Sequence, residues 1–121
     1  MAAKVADDGN HWIFKCPACG LHYIRKGKGW HFDGNVESPT ISPSLVEITN
    51  STNHPHHQPD VPMTRCHLFV SAGKIEFLND CTHPYGGQTI EMTEFSEDEL
   101  KRYERKAIKS NRMGTALHEG V

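Results

Sequence analysis

The sequence predicts a mainly β domain of the α+β class, in which antiparallel strands are followed by one C-terminal helix. Between about residues 11 and 95, short apolar runs with alternating polar residues are separated by turns rich in glycine, proline and asparagine, the pattern of strands. After residue 95 the pattern becomes that of a capped, charged helix. A chain of 121 residues suits a single domain, 1–121.

The first predicted strands flank a pair of cysteines. The segment "HWIFKC" at 11–16 alternates, and "LHYI" at 21–24 is expected to return beside it. Between them lies a Cys-Pro-x-Cys-Gly turn, the usual shape of a zinc knuckle, because its proline and glycine let backbone amides point at the thiolates. The next alternating run, "WHFDGN" at 30–35, ends in a turn.

Two prolines shape the following segment, "ESPTISPSLVEIT" at 37–49. Because Pro39 and Pro43 cannot donate a hydrogen bond in a central strand, we expect an extended edge segment that leads into a strand at 45–48. Residues 50–64 show no periodicity and contain three further prolines, which predicts a long loop.

The segment "CHLFVSAGKIEFLNDCTH", which begins at Cys66, predicts a β-hairpin that turns at Gly73. Its buried face is expected to contain four apolar side chains: Leu68, Val70, Ile75 and Phe77. The hairpin places Cys66 and His67 close to Asp80 and Cys81, because residues equidistant from the turn face one another.

A last strand, "TIEM" at 89–92, precedes the predicted helix. Ser96 and Glu99 form a capping box, and acidic residues fill the first turn while basic residues follow, which matches the helix dipole. One apolar stripe contains Leu100, Tyr103, Ala107 and Ile108. We therefore predict a helix over about 97–110 and a flexible tail over 112–121.

Composition excludes several classes of function. The net charge is -2, so no nucleic-acid partner is expected. No apolar run is long enough to span a membrane, and the N-terminal residues lack the pattern of a signal peptide, so we expect a cytoplasmic protein. In that compartment the four cysteines are expected to be thiols or metal ligands rather than disulfides.

The cysteines predict one structural zinc site and hence a compact, zinc-stapled antiparallel β domain. Cys16 and Cys19 form a closely spaced pair, while Cys66 and Cys81 lie at the two ends of the hairpin, so four thiolates can surround one tetrahedral ion. Because apolar residues make up only 36% of the chain, such a site would supply a staple that a small core lacks. A histidine could replace one thiolate; the candidates are His22, His67 and His83. The alternative is four unrelated buried or free cysteines.

Polar side chains at the end of the hairpin are candidates for chemistry. His67, Asp80 and His83 combine bases that work near neutral pH with a carboxylate that can fix a histidine tautomer. Alternatively, they could surround a second, catalytic zinc. A third possibility, which spacing alone favours slightly, is that these side chains only cap turns. The "PTISPS" segment adds hydroxyl groups on a backbone that two prolines stiffen, and a nucleophile needs such a rigid backbone. These hydroxyls belong to Thr40, Ser42 and Ser44.

Four motifs occur in an order that resembles a known family: "WHFDGN", "SPTISPSL", "CHLFVSAGKIEFLNDCTH" and "GGQTI". They are similar to a small domain common in phages and prophages, with the pattern W-x-F-x-G, P-T-x-x-P-S, C-H, a glycine hairpin, D-C-x-H and G-Q. Its members are often labelled "ammonia monooxygenase", a name without basis here because the chain is too small and polar for that membrane-enzyme chemistry. The resemblance covers about 14–92 and leaves the C-terminal helix outside.

Relatives of this family also occur beside bacterial ubiquitin-like conjugation genes, where the resemblance implies a serine-peptidase or deubiquitinase-like role. It then implies Ser44 as the nucleophile with Ser42 as its substitute. It further implies His67 or His83 as the base and Asp80 as the orienting acid. The implied partner is a ubiquitin-like or other host protein, in the host cytoplasm.

The predicted function is thus a small zinc-binding serine hydrolase of the peptidase or isopeptidase type. Backbone amides near Gly86 and Gly87 are candidate oxyanion donors. Two alternatives stay open. One is a non-enzymatic, zinc-stabilised binding module that acts on a host protein. The other is a zinc metallohydrolase that uses His67, Asp80 and His83.

Overall fold

The computed structural model describes residues 3–51 and 53–119, with side chains up to residue 108. In these residues the chain forms eight strands and one helix: β1 Ala6–Asp7, β2 His11–Cys16, β3 Gly20–Arg25, β4 His31–Phe32, β5 Ile41–Thr49, β6 Thr64–Ser71, β7 Lys74–Phe77, β8 Thr89–Glu91 and α1 Glu97–Glu119. Every strand pair is antiparallel, so the mainly β class with one C-terminal helix is confirmed.

The three-stranded sheet has the order β1-β2-β3. β2 and β3 are the predicted strands around the cysteine pair, and Cys16 lies opposite Gly20 at the end of their ladder. Gly20 has φ +91°, a conformation that glycine adopts readily, so the chain can reverse tightly through the cysteine turn. β1 is absent from the sequence prediction because a two-residue strand is too short to show alternation.

The five-stranded sheet has the order β4-β5-β6-β7-β8 and contains the predicted hairpin as β6 and β7. Both residues of its turn, 72–73, have positive φ (50° and 78°), as a two-residue type I′ turn requires. Leu68 pairs with Phe77, and Val70 pairs with Ile75. All four side chains are buried, which confirms the predicted hairpin.

The predicted edge position of the two-proline segment holds only beyond Ser42. β4 pairs with Ile41 and Ser42 of β5, so residues 43–49 face another strand on the β6 side alone. A bulge makes this position compatible with proline. Ile41 pairs with Val70, and Leu45 pairs with Leu68. β5 therefore advances four residues where β6 advances two, and Pro43 lies in the stretch without ladder pairing to β6.

The main core lies between the two sheets. Its largest side chains that are at most 1% exposed are Phe14, Ile24, Leu68, Ile75 and Phe77. Ile13, on the other face of β2, belongs to a second cluster beneath α1, together with Ala6, Phe95, Leu100 and Tyr103. β2 is thus buried on both faces, and the three-stranded sheet lies between the five-stranded sheet and the helix.

The helix α1 begins with the predicted capping box. The Glu99 amide donates to Ser96 Oγ (3.1 Å), and the Ser96 amide donates to Glu99 Oε1 (2.9 Å). The helix runs to Glu119, so it is longer than the predicted 97–110 and includes most of the predicted tail, while 120–121 lie outside the described residues. No proline interrupts it, and one interior glycine costs only about 1 kcal/mol. Within the described residues this helix is not apolar enough to cross a membrane.

The predicted long loop is confirmed between Thr49 and Thr64. In the part that the structure describes, the side chain of Asn50 organises it. This side chain donates to the Gln58 carbonyl (2.9 Å) and accepts from the Gln58 amide (2.8 Å). The loop therefore folds back on its own beginning.

Candidate active site and metal centre

Two neighbouring residues of β6 point to opposite faces of the five-stranded sheet. Side chains alternate along a strand, so Cys66 lies on the core side with Leu68 and is only 3% exposed. His67 lies on the outer side. The polar residues of the hairpin are therefore divided between an outer site and a cysteine cluster on the core side.

The outer face brings together Ser44, His67 and Asp80. His67 Nε2 lies 3.2 Å from Ser44 Oγ, and His67 Nδ1 lies 3.1 Å from Asp80 Oδ2 and 3.2 Å from Oδ1. Ser44 comes from the bulge of β5, His67 from β6 and Asp80 from the turn after β7. These contacts have the order that a serine nucleophile, its base and an orienting acid need.

The bulge in β5 determines where Ser44 points. It adds two residues, so the alternation of side chains is the same before and after it. Ile41 and Leu45 pack on the core, and Ser44 faces outward. A bulge of one residue would turn the hydroxyl toward the core.

Two partners hold the Asp80 carboxylate ionised. Its hydrogen bond with His67 lowers its pKa below the ordinary value of 3.8, and Arg65 Nη1 adds a contact of 3.4 Å. An ionised Asp80 accepts the Nδ1 proton of a neutral His67, which leaves Nε2 free to accept the hydroxyl proton of Ser44. The arrangement can therefore deprotonate a serine as it attacks an acyl carbon.

The other two candidate hydroxyls lie elsewhere. Thr40 Oγ1 accepts a hydrogen bond from the Ala72 amide (3.0 Å) at the hairpin turn. Ser42 belongs to the part of β5 that pairs with β4. The hydroxyl that contacts an imidazole is that of Ser44.

His83 lies beside the cysteine cluster rather than beside Ser44. Its Nε2 is 3.4 Å from Cys66 Sγ, and its Nδ1 accepts a hydrogen bond from the Tyr85 amide (3.2 Å). Of the two candidate bases, His67 therefore contacts the serine. Among the described side chains, His67 and His83 do not join Asp80 in a metal-binding group.

The amides of Gly86 and Gly87 are engaged within the fold. Gly87 donates to the Phe77 carbonyl (2.9 Å), and Gly86 donates to the His83 carbonyl (3.4 Å). Their prediction as oxyanion donors is wrong, because such a donor must point at the developing charge of the substrate.

On the core side four metal-ligating side chains converge: Cys16, Cys19, His22 and Cys66. Their ligand atoms all lie within 4.8 Å of one another. Cys66 Sγ and His22 Nε2 are 3.8 Å apart, close to the ~3.6 Å that separates two ligands of a tetrahedral zinc. Three thiolates and one imidazole are a ligand set that structural zinc sites use, so these residues fit such an ion.

The predicted fourth thiolate, Cys81, lies outside this cluster, and His22 takes its place, which corrects the predicted ligand set. Cys81 Sγ accepts from the His67 amide (3.3 Å) and donates to the His67 carbonyl (3.2 Å), so it is held against the backbone of β6. His22 pairs with Phe14 in the β2–β3 ladder and shares the buried face of Cys16.

Glu47 is a residue of this centre that sequence reasoning missed. Its Oε2 lies 2.7 Å from His22 Nδ1, and the Nε2 of the same ring faces Cys66. Carboxylates in this position fix the tautomer and orientation of metal-binding histidines. Alternation along β5 could have found it, because Glu47 is the ladder partner of Cys66.

The three thiols of the cluster influence one another's ionisation. A hydrogen bond from Cys66 lowers the pKa of Cys16 to about 4, burial raises the pKa of Cys19 to about 11, and the hydrogen bond to Cys16 raises the pKa of Cys66. One thiolate therefore suppresses the ionisation of its neighbours. A divalent cation reverses this effect, since it favours the thiolate form of every ligand.

A known protein family matches the part of the chain that carries Ser44 and His67. The family described as bacterial ubiquitination-like system serine protease (BubE) matches residues 1–78, more than half of the chain. The match ends two residues before Asp80. No curated protein and no solved structure gives a significant match. The chain therefore belongs to the BubE family of bacterial ubiquitination-like system serine proteases.

Proposed function

We propose that this chain is a serine hydrolase that cleaves peptide or isopeptide bonds of a ubiquitin-like protein. The observation that carries the proposal is the chain of contacts from Ser44 Oγ to His67 Nε2 (3.2 Å) and from His67 Nδ1 to Asp80 (3.1 Å). Family membership supports the reaction class, because the family is described as serine proteases of a ubiquitination-like system. A ubiquitin-like conjugate or precursor is therefore the proposed substrate.

In the proposed reaction, Ser44 Oγ attacks the carbonyl carbon of the scissile bond while its proton passes to His67 Nε2. Asp80 stays ionised and stabilises the imidazolium. When the tetrahedral intermediate collapses, the C–N bond breaks and the Nε2 proton goes to the leaving amine. Water then attacks the acyl-serine and gives a proton to His67, and the Ser44 hydroxyl is restored as the carboxylic acid leaves.

We further propose a structural zinc ion at Cys16, Cys19, His22 and Cys66. These four residues would hold the ion, and with four protein ligands it would supply a cross-link rather than Lewis-acid chemistry. Three ligands come from the β2–β3 hairpin and Cys66 comes from β6, so the cross-link joins the two sheets.

A fluorophosphonate probe, which bonds covalently to an activated serine, tests the hydrolase. Wild type should be labelled, whereas Ser44→Ala and His67→Gln should not be. Ser42→Ala and His83→Gln are the matched controls, because each removes the same type of group away from the Ser44–His67 contact, and both should be labelled. If folded, metal-loaded wild type is not labelled, the hydrolase proposal fails and a non-enzymatic binding module becomes the better account.

The metallohydrolase alternative gains no support from the geometry, since His67 contacts Ser44 and His83 contacts Cys66. The phage or prophage origin and the cytoplasmic location stay predictions. So does the absence of a nucleic-acid partner.

A further inference from the structure

A depression lies in the outer face of the five-stranded sheet, the same face that carries the proposed active site. It has a volume of about 370 Å³ and is bordered by Ser42, Phe69 and Glu76, with Ile41 and Val70 also contributing to its lining. The depression spans β5, β6 and β7, so its walls are formed mainly by strands, with Thr40 contributed from the segment before β5.

Two residues that border the depression lie close to the residues around Ser44. Phe69 follows His67 by two positions on the same face of β6, and the centroids of the two rings are 6.4 Å apart. Ser42 precedes Ser44 by two positions in the β5 bulge. A peptide held at Ser44 therefore has side chains within reach of this depression, because alternate residues of an extended chain are spaced like those of the strands below it.

The lining combines an exposed aromatic ring with a carboxylate. Phe69 is 40% exposed, and Glu76 is its direct ladder partner on β7, so the two side chains stand side by side on the outer face. Among the described side chains Glu76 has no ion-pair partner. Lys74, two positions before Glu76, instead pairs with Glu91, and its Nζ lies 3.9 Å from Glu91 Oε1. The carboxylate is therefore available to a ligand.

We infer that this depression is a subsite for a basic side chain, lysine or arginine, of the substrate near the scissile bond. The methylene groups of such a side chain pack on the Phe69 ring, and its cationic end meets the ring face and the Glu76 carboxylate. An acidic side chain would be repelled by Glu76. That the ligand is a substrate rests on the proposed function.

The test uses internally quenched peptides in which one position at a time carries lysine, norleucine or glutamate. Norleucine is the matched side chain, because it has the straight hydrocarbon stem of lysine without the ammonium. At one position near the cleaved bond, wild type should prefer lysine over norleucine about three- to tenfold in kcat/KM. Glu76→Gln should remove this preference, and Glu76→Lys should shift it toward glutamate. Glu94→Gln, which removes a charge in the segment before α1, should keep it.

A binding measurement separates this inference from the proposed function. Ser44→Ala retains the depression and cannot cleave, so NMR titrations with the lysine and norleucine peptides report the subsite alone. One outcome is that the wild type cleaves no peptide, while binding is selective for lysine and Glu76→Gln abolishes that selectivity. This outcome would overturn the hydrolase proposal and keep the proposed subsite for a basic side chain. Binding or cleavage without lysine selectivity, selectivity that persists in Glu76→Gln, or no peptide binding at all would overturn the subsite.

Discussion

At the scale of single residues, Cys66 and His67 show how one strand separates two kinds of chemistry. They are adjacent in sequence, yet Cys66 joins the metal-ligating cluster on the core side and His67 contacts Ser44 on the outer face. The period of two residues along a strand is the physical cause. Substitution at either position should therefore affect one site and leave the geometry of the other site unchanged.

Asp80→Asn tests the orienting role of the carboxylate. The amide cannot stabilise an imidazolium as a carboxylate does and can favour the wrong tautomer of His67, so kcat should fall by about 10³–10⁴-fold. The measurement is hydrolysis of an activated ester or of a cleaved peptide. Asp60→Asn, on the long loop, is the control and should keep wild-type kcat. A loss of less than tenfold for Asp80→Asn would show that His67 is oriented without it.

Glu47→Gln tests the carboxylate behind His22. Because the hydrogen bond of 2.7 Å between Glu47 Oε2 and His22 Nδ1 orients the imidazole, the variant should lose about 10- to 100-fold in metal affinity. Competition with a chelator of known affinity measures this loss. Glu104→Gln removes an equal charge from α1 and should bind metal as wild type does. Equal affinities for both variants would remove Glu47 from the metal centre.

At the scale of elements, the bulge in β5 and the hairpin β6–β7 build the outer site together. The bulge leaves Pro43 outside the ladder between β5 and β6 and turns Ser44 outward. The hairpin places His67 and Asp80 within hydrogen-bond distance of each other. The site thus rests on strands, with Asp80 alone supplied by a turn.

The capping box of α1 predicts an acid-dependent loss of stability. Hydrogen bonds with Ser96 lower the pKa of Glu99 to about 2 from an ordinary value of 4.5. The Lys15 ammonium contributes to this shift, since its Nζ donates to Glu99 Oε1 at 2.9 Å. Between these values the unfolded chain binds more protons than the folded one, so this contribution is present above about pH 4.5 and is lost as the pH falls toward 2.

Denaturant unfolding of wild type and Glu99→Gln across this pH window measures the effect. The difference in unfolding free energy between the two proteins should shrink as the pH falls. Glu97→Gln removes a charge from the same helical turn without touching the capping box, so its difference from wild type should change less. A constant difference for Glu99→Gln would contradict the linkage.

At the scale of the whole molecule, the metal-ligating cluster joins the two sheets beside the core that they share. Cys16 and Cys66 are both buried members of this core, so the cluster continues the hydrophobic contact between the sheets. The proposed ion would cross-link the sheets here, and a small domain with a limited core would gain most from it, since the binding free energy of the ion would add to folding.

Cys16→Ser should therefore lose metal and stability together. We expect zinc content to fall well below one ion per chain and Tm to drop by more than about 10 °C. Elemental analysis and thermal unfolding measure the two quantities. Cys81→Ser is the matched control, because Cys81 contacts the backbone of β6 instead of the cluster, and it should keep its zinc. Zinc loss in Cys81→Ser with retention in Cys16→Ser would reverse the assignment.

Much of the architecture could be predicted because it depends on local patterns. Alternation identified the strands around the cysteine pair and the four buried residues of the hairpin, and the capping box identified the start of α1. The end of α1 was missed, since the predicted apolar stripe ends at Ile108 whereas the helix continues to Glu119. The pairing of Ile41 and Ser42 with β4 was missed, because a single sequence does not show which strand will tolerate proline through a bulge.

The sequence by itself determined the cysteine knuckle, the glycine hairpin and the face on which each of its residues stands, because these follow from short-range geometry. Only the tertiary structure decided that His67 rather than His83 contacts Ser44, and that His22 rather than Cys81 completes the metal-ligating cluster. The reason is physical. Each choice depends on how two sheets and a bulge bring distant segments together, and residue spacing carries no information about those distances.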